Sequence, residues 1–316
     1  MKKIIKVQQP SDAPLNLTWM INNICTNHCS YCPSDLHAGK NHHYEWKNAK
    51  RFFEMLFDRY PKIHCAVSGG EPSISPFFPE ICKTFYDAGH HIGATSNAAK
   101  PAAYWKDISK YLNYICFSWH PEFADNNFVE KITVASLETF VLVRVMMLPN
   151  KWDECVKTFK ELSTINTLIV EPVKILNYED IDALSYAYTK EQLEWFDTNE
   201  GTHVKFNRYG IKPNKPHVPN ISSTYYLNDG EIITNPNASI WVNRNMTNFN
   251  GYTCEIGLKS LFVRPDGSIY RGNCLVGGII GNINSPDKIQ WPTEPIKCNV
   301  NLCHCSTDVN INKWID

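Results

Sequence analysis

The chain has 316 residues, 43% of them apolar and 20% charged, with a formal net charge of -1. That balance excludes a disordered or collagen-like chain and a strong overall basic field for nucleic acid. No run of about eighteen apolar residues exists, so no membrane span is read, and the opening MKKIIKVQQPSDAP lacks the apolar core of a secretory signal. The unusual count is 12 cysteines. Without a signal peptide a reducing cytoplasm is the expected compartment, and there metal ligation explains clustered thiols better than disulfides do.

In chain order, short apolar runs alternate with amphipathic segments from residue 15 to about 176. Residues 15–21 predict a strand. Residues 44–60 carry Trp46, Phe52, Phe53, Leu56 and Phe57 at helical spacing. Strands are expected at 63–67, 91–95, 114–118, 140–147 and 167–170. Helices are expected at 76–88, 101–111, 128–137 and 152–163, with Pro101 opening one of them. Repeated β-then-α units imply an α/β fold with a parallel sheet. About six units fit, too few for a closed eight-stranded barrel. Residues 190–196 suggest one more helix, and 203–250, rich in Asn, Pro and Tyr, read as hairpins and loops. A strand pair is expected at 260–264 and 268–271 across the turn Pro265-Asp266-Gly267. The domain division expected is 1–176, 177–250 and 251–316.

Cys25, Cys29 and Cys32 stand in C-x3-C-x2-C spacing directly after the first of these strands. Three thiolates on one loop can hold three irons of a [4Fe–4S] cluster and leave the fourth open to an exogenous ligand. Zinc with His28 as a fourth ligand is the competing reading of the same run. The motif, with Tyr31 just before the third cysteine, resembles the radical S-adenosylmethionine (radical SAM) superfamily. The resemblance implies a partial (β/α)6 TIM-like barrel, Cys25, Cys29 and Cys32 as cluster ligands, and Tyr31 packed beside the cluster. It also implies that SAM chelates the open iron and is split by one electron into methionine and a 5′-deoxyadenosyl radical, which takes a hydrogen atom from substrate.

Further strand ends carry matching motifs. Ser68-Gly69-Gly70-Glu71-Pro72 follows the second strand, and glycines there allow close backbone approach. The resemblance assigns Gly69, Gly70 and Glu71 to the methionine amino group. It places Ser96 and Asn97, and then Ser118 and His120, where the barrel meets SAM or substrate. Arg144 lies inside an apolar strand; a buried arginine needs an anion, for which the SAM carboxylate is a candidate, and the alternative is an outward-facing position or a structural ion pair.

Five cysteines, Cys254, Cys274, Cys298, Cys303 and Cys305, crowd the last part of the chain. Four thiolates suit either a closed [4Fe–4S] cluster or zinc. Cys254-x2-Gly257, the PDG hairpin, Cys274 and Gly281-Asn282-Ile283 resemble the SPASM/twitch appendage of radical SAM enzymes. That resemblance implies one auxiliary [4Fe–4S] cluster on four of the five, with Cys254, Cys274, Cys303 and Cys305 preferred. Cys65, Cys82, Cys116 and Cys155, scattered singly, read as small buried hydrophobes.

The expected activity is therefore that of a radical SAM oxidoreductase acting on a small molecule, with the auxiliary cluster aiding oxidation or positioning. A peptide maturase installing a crosslink or epimerising a residue is the alternative. Only 24 residues precede Cys25, which counts against a leader-recognition domain within this sequence. A nucleotide- or nucleic-acid-modifying enzyme is a further alternative, against which the neutral charge argues. The partners expected are a small-molecule or peptide substrate and a reductant such as flavodoxin or ferredoxin. His203, Lys205, Arg208, Tyr225, Tyr226, Trp241 and Arg244 are candidate contacts at the barrel mouth, and His37, His42 and His43 could approach the same space.

Overall fold

The computed structural model describes residues 2–37, 39, 44–175, 186–199, 223–234 and 238–315. His42, His43, His203, Lys205 and Arg208 lie outside them. Strand β1 is Ile4–Gln8 and β2 Leu15–Met20. Five β/α steps follow: α1 Trp46–Arg59, β3 Ile63–Ser68, α2 Phe78–Asp87, β4 His91–Ser96, α3 Ala102–Ser109, β5 Tyr114–Trp119, α4 Phe128–Ser136, β6 Phe140–Met146, α5 Trp152–Leu162 and β7 Leu168–Val173. Then come α6 Lys190–Asn199, β8 Thr224–Leu227, β9 Ile232–Thr234, α7 Ala238–Asn243, β10 Thr253–Cys254, β11 Ser260–Val263, β12 Ser268–Tyr270, β13 Ile279–Asn282, β14 Ile296–Lys297, α8 Ser306–Val309 and β15 Lys313–Trp314.

Strands β2 to β7 lie side by side in sequence order and all parallel. Period-2 burial decides which face is covered: Leu17, Trp19, Cys65, Val67, Ile115, Phe117, Val143 and Val145 pack under the helices. Helix α1 buries Ala49, Phe52, Phe53 and Leu56 at i, i+3, i+4 and i+7 and stops before Pro61. Trp19 and Phe53 meet at 5.2 Å between centroids, and Trp105 meets Phe117 at 4.8 Å. The four single cysteines, Cys65, Cys82, Cys116 and Cys155, are all buried, as expected of small hydrophobes.

The PDG hairpin joins the same sheet: β11 runs parallel to β2, and β12 and β13 follow antiparallel. Among the described residues, strands β13 and β7 are the two edges, and no strand closes the barrel between them. The expected partial barrel is thus present, with three extra strands on its first edge.

A second sheet has the order β14-β10-β15-β1-β8-β9. Strand β1 was not expected from the sequence; it pairs with β8 and β15, not with the barrel. A separate core of Ile4, Val7, Tyr225, Leu227, Trp241, Phe249, Tyr252 and Val309 sits on this sheet. This corrects the barrel-mouth expectation for Tyr225 and Trp241, which are 0% and 2% exposed and pack with ring centroids 5.2 Å apart, tilted by 37°. Tyr226 stands on β8 of the same sheet, and Arg244 is exposed just after α7. Within 203–250, the described residues form a β8–β9 hairpin and α7. Strand β7 runs to Val173, three residues past the expected end, because its ladder with β6 continues to Met146.

Candidate functional site at the strand ends

The cysteine loop lies directly over the end of β3. Asn22, 0% exposed, clamps the two: its Nδ2 donates to the Glu71 carbonyl at 2.8 Å and its Oδ1 accepts from Gly70 N–H at 3.1 Å. Glu71 N–H donates to the Ile24 carbonyl at 2.8 Å. This closeness requires glycine. A Cβ on Gly70 would stand 2.2 Å from the Ile24 carbonyl oxygen, and one on Gly69 (φ 137°) 2.4 Å from that of Asn22.

Glu71 is fully buried, yet its carboxylate has three donors: Ser73 N–H at 2.9 Å, Ser96 Oγ at 2.7 Å and Asn97 N–H at 2.6 Å. Burial pushes its pKa up and these hydrogen bonds oppose the push. Glu71 therefore ties the end of β3 to the end of β4. The tie orients Asn97, whose Nδ2 reaches Cys25 Sγ at 3.4 Å and Thr26 Oγ1 at 3.1 Å. Asn97 Oδ1 is buried and has no hydrogen-bond partner.

His120 follows β5 and faces the loop. Its Nδ1 lies 2.7 Å from Tyr31 Oη and 3.4 Å from Cys29 Sγ, and its ring stacks on Tyr31 at 6.0 Å. Burial lowers the His120 pKa to about 4, so the imidazole is neutral and Nδ1 accepts the Tyr31 hydroxyl proton or donates toward sulfur. Glu122 pins the same loop, its carboxylate accepting from Ser30 N–H at 2.8 Å and Ser30 Oγ at 2.6 Å. His28 Nδ1 meets His37 Nδ1 at 3.2 Å. His37 Nε2 lies 3.3 Å from the Cys32 carbonyl oxygen.

On the concave face, Ser118, Arg144 and Glu171 are consecutive partners across β5, β6 and β7. Ser96 pairs with Phe117, so Asn97 and Ser118 come next on their strands. These residues form one row across four strands, facing away from the helices. The alternative reading of Arg144 holds over the buried one: its side chain is 45% exposed in the concavity, with Nε 3.4 Å from Glu171 Oε2. A structural ion pair therefore exists, and the outer guanidinium edge is open.

These residues fit the group that the sequence motif implies. Burial raises the Cys25, Cys29 and Cys32 thiols, Cys29 to about 12 and Cys32 to about 11, and each also feels a neighbouring cysteine or acidic charge. The metal-free loop therefore holds thiols, and metal loading releases their protons. Beside the thiols, Asn97 Oδ1 is buried without a hydrogen-bond partner, and Gly69 and Gly70 let the end of β3 pack tightly under the cysteine loop.

The late cysteines assemble differently. Cys254, Cys298 and Cys303 are 3%, 8% and 5% exposed. Burial raises all of Cys254, Cys274 and Cys303, and each is raised further by at least one of the other late cysteines, Cys298 included. For Cys305, pushed up to about 11 by burial, the next cause is Asp308. Asp308, 1% exposed, accepts from Cys274 N–H at 3.0 Å. Lys313, also buried, donates to the carbonyls of Asp308, Val309 and Ile311 at 2.6, 2.9 and 2.9 Å. Its positive charge opposes the rise at Cys254 and Cys303.

Among the described residues, no three His, Cys, Asp or Glu side chains converge as ligands of a single metal ion. Asn22, Glu122, Asp308 and Lys313 were not singled out in the sequence. Asn22 and Glu122 flank motifs that were, and polar residues at strand ends are the signal that could have found them. Lys313 stands in a short tail strand with no such signal.

Residues 19–162 match the Radical SAM superfamily. No curated protein sequence matches the chain. Among solved structures, anSMEcpe with bound AdoMet and Kp18Cys peptide is similar at a TM-score of 0.52 and 15% identity, over 86% of this chain and 78% of that one. SuiB of Streptococcus suis is similar at 0.51 and 12%, over 89% of this chain and 66% of SuiB. Its complex with the precursor peptide SuiA gives 0.50 and 14%, over 89% and 65%. At these identities the likeness shows the fold. The cofactors of the superfamily, a [4Fe–4S] cluster and SAM, suit the loop and strand end described above. Residues 19–162 are a radical SAM domain, and the protein that carries it is an enzyme.

Proposed function

We propose that the enzyme modifies a peptide, abstracting a hydrogen atom from it by SAM chemistry at a [4Fe–4S] cluster held by Cys25, Cys29 and Cys32. The observation that carries the reading is the extent of the fold likeness. It covers 86–89% of the chain, well beyond residues 19–162, and two of the similar structures hold peptides, Kp18Cys and SuiA. This puts the maturase alternative ahead of the small-molecule oxidoreductase.

Bound SAM supplies the radical; the chain supplies position. In this reading Gly69 and Gly70 let backbone approach the amino group of SAM. Glu71 and Ser96, occupied with each other, hold the cradle in place. Asn97 offers Oδ1 as an acceptor. Ser118 and the outer edge of Arg144 receive the carboxylate or ribose, with Glu171 fixing the guanidinium. Tyr31 and His120 pack the loop and exclude water. The late cysteines hold an auxiliary [4Fe–4S] cluster. Cys254 and Cys274 with two of Cys298, Cys303 and Cys305 supply its four thiolates, Cys303 and Cys305 being preferred. No helix among the described residues is long and apolar enough to cross a membrane.

The test is anaerobic reconstitution with a flavodoxin or dithionite reductant, then incubation with SAM and either peptide pools or aminocyclitol-type small molecules. 5′-Deoxyadenosine formed in step with a mass change in a peptide is the expected result. Turnover coupled only to a small molecule would overturn the peptide reading.

A further inference from the structure

We propose that a cavity on the second sheet, formed where β1 meets β15, docks an extended segment of the peptide substrate through the carboxamide of Gln9. The proposal rests on the peptide reading above and adds to it a recognition site separate from the strand ends that carry the cysteine loop.

The cavity measures ≈ 640 Å³, within the usual size of a ligand pocket. Lys6, Gln8, Gln9, Asn312, Trp314 and Ile315 line it. Gln9 is 4% exposed, yet neither its Nε2 nor its Oε1 has a hydrogen-bond partner. Its backbone N–H is satisfied by Asn312 Oδ1, and Asn312 Nδ2 is held by Glu255 Oε2 at 2.7 Å. The main chain at Gln9 is therefore fixed, and the buried carboxamide has its N–H donors and its carbonyl acceptor with nothing to meet them. Buried polar atoms in a native fold are almost always paired, so an idle carboxamide beside a cavity points to an occupant.

The carboxamide geometry selects that occupant. A residue in an extended chain turns its own N–H and C=O to the same edge, which is the complement of one Gln side chain. The rest of the cavity fits a peptide's side chains. Lys6 and Trp314 are paired in register across β1 and β15, so a cation and an indole stand next to each other. Lys6 Nζ is exposed, lies 5.1 Å from the Tyr226 ring centre and has no carboxylate partner among the described residues. Ile315 is 49% exposed. An acidic side chain over Lys6 next to an apolar one over Trp314 and Ile315 completes the match.

The experiment uses the reconstituted full chain. Short random peptides displayed on phage are selected on it, and enriched sequences are synthesised and titrated by fluorescence anisotropy. Gln9→Leu should weaken them about tenfold, since it removes both hydrogen bonds to the peptide. The same variant should keep its melting temperature, because the lost atoms had no partners. Lys6→Glu, at an exposed position that cannot disturb the core, should weaken acidic peptides selectively and decides the matter if Gln9→Leu fails to fold. Peptides that bind both variants as tightly as wild type, or a selection that yields no binder, would overturn the groove. A SAM-dependent mass change separates this from the functional reading. Peptides that lose affinity for Gln9→Leu and are never modified uphold the groove and sink the peptide reading. Peptides modified equally by wild type and Gln9→Leu do the reverse.

Discussion

The two cysteine regions solve different problems with the same side chain. Cys25, Cys29 and Cys32 come from one loop at a strand end, with Cys25 and Cys32 partly exposed beside an open concave face. The late cysteines come from β10, from the end of the hairpin and from the tail; Cys254 is buried with Ile256, Val276 and Ile311, and Cys298 and Cys303 are buried in the core of the second sheet. A local loop can form its site early and keep one side open, as an exchangeable ligand requires. A site gathered from distant segments is closed by its own assembly, which suits a group that stays.

The contrast can be broken most severely at Cys29. Cys29→Ala should abolish 5′-deoxyadenosine formation and reduce bound iron from about eight to about four per chain, leaving the late group intact. Cys303→Ser should give the converse: iron also falls to about four, with SAM cleavage retained. Loss of both groups from either variant would mean that the regions are not independent. Gly70→Ala is next in size. Its Cβ would collide with the Ile24 and Leu36 carbonyls at 2.2 and 2.5 Å. We expect a stability loss of ~2–3 kcal/mol and impaired loading of the early group only, read by thermal melting and iron counting. Arg144→Gln sharpens the picture of the open side. The pair with Glu171 is half exposed, so stability should change by less than ~1 kcal/mol while SAM binds about tenfold more weakly in calorimetry.

The smallest effect lies at the rim. Lys131 Nζ pairs with Asp125 and donates to the Ala98 carbonyl at 2.9 Å, just after Asn97, where Ala98 holds φ 61°. The hydrogen bond from Lys131 holds the Asp125 carboxyl below its ordinary value of 3.8. A depressed acid contributes stability above its unfolded pKa and loses it as pH falls through the folded one. Lys131→Met should therefore melt below wild type at neutral pH, and the gap should narrow below about pH 4 in a melting series.

The β/α alternation, the cysteine loop and GGEP were legible because each is local: period-2 and period-3.6 burial and a spacing within one loop. What the sequence hid is non-local. Arg144 reads as a buried charge in FVLVRVMM, because Glu171, the partner beside it, lies on the next strand. The segment IIKVQ carries a strand pattern, but nothing in it names β8 and β15 as its partners. The late thiols could be counted but not grouped, since their grouping depends on how the tail crosses β10. Tyr225 and Trp241 look like mouth residues until a second core claims them.

The pairing of β1 with β15 also sets a schedule. In synthesis Lys6 leaves the ribosome long before Trp314, its partner across the ladder. The barrel strands β2 to β7 follow one another and can pair as they emerge, whereas β1 must wait with Ile4 and Val7 uncovered. Lys2 and Lys3 before it and Lys6 within it keep that waiting strand charged and discourage pairing with another chain. The second sheet, and the late cysteines with it, can close only after Lys313 and Trp314 have been made.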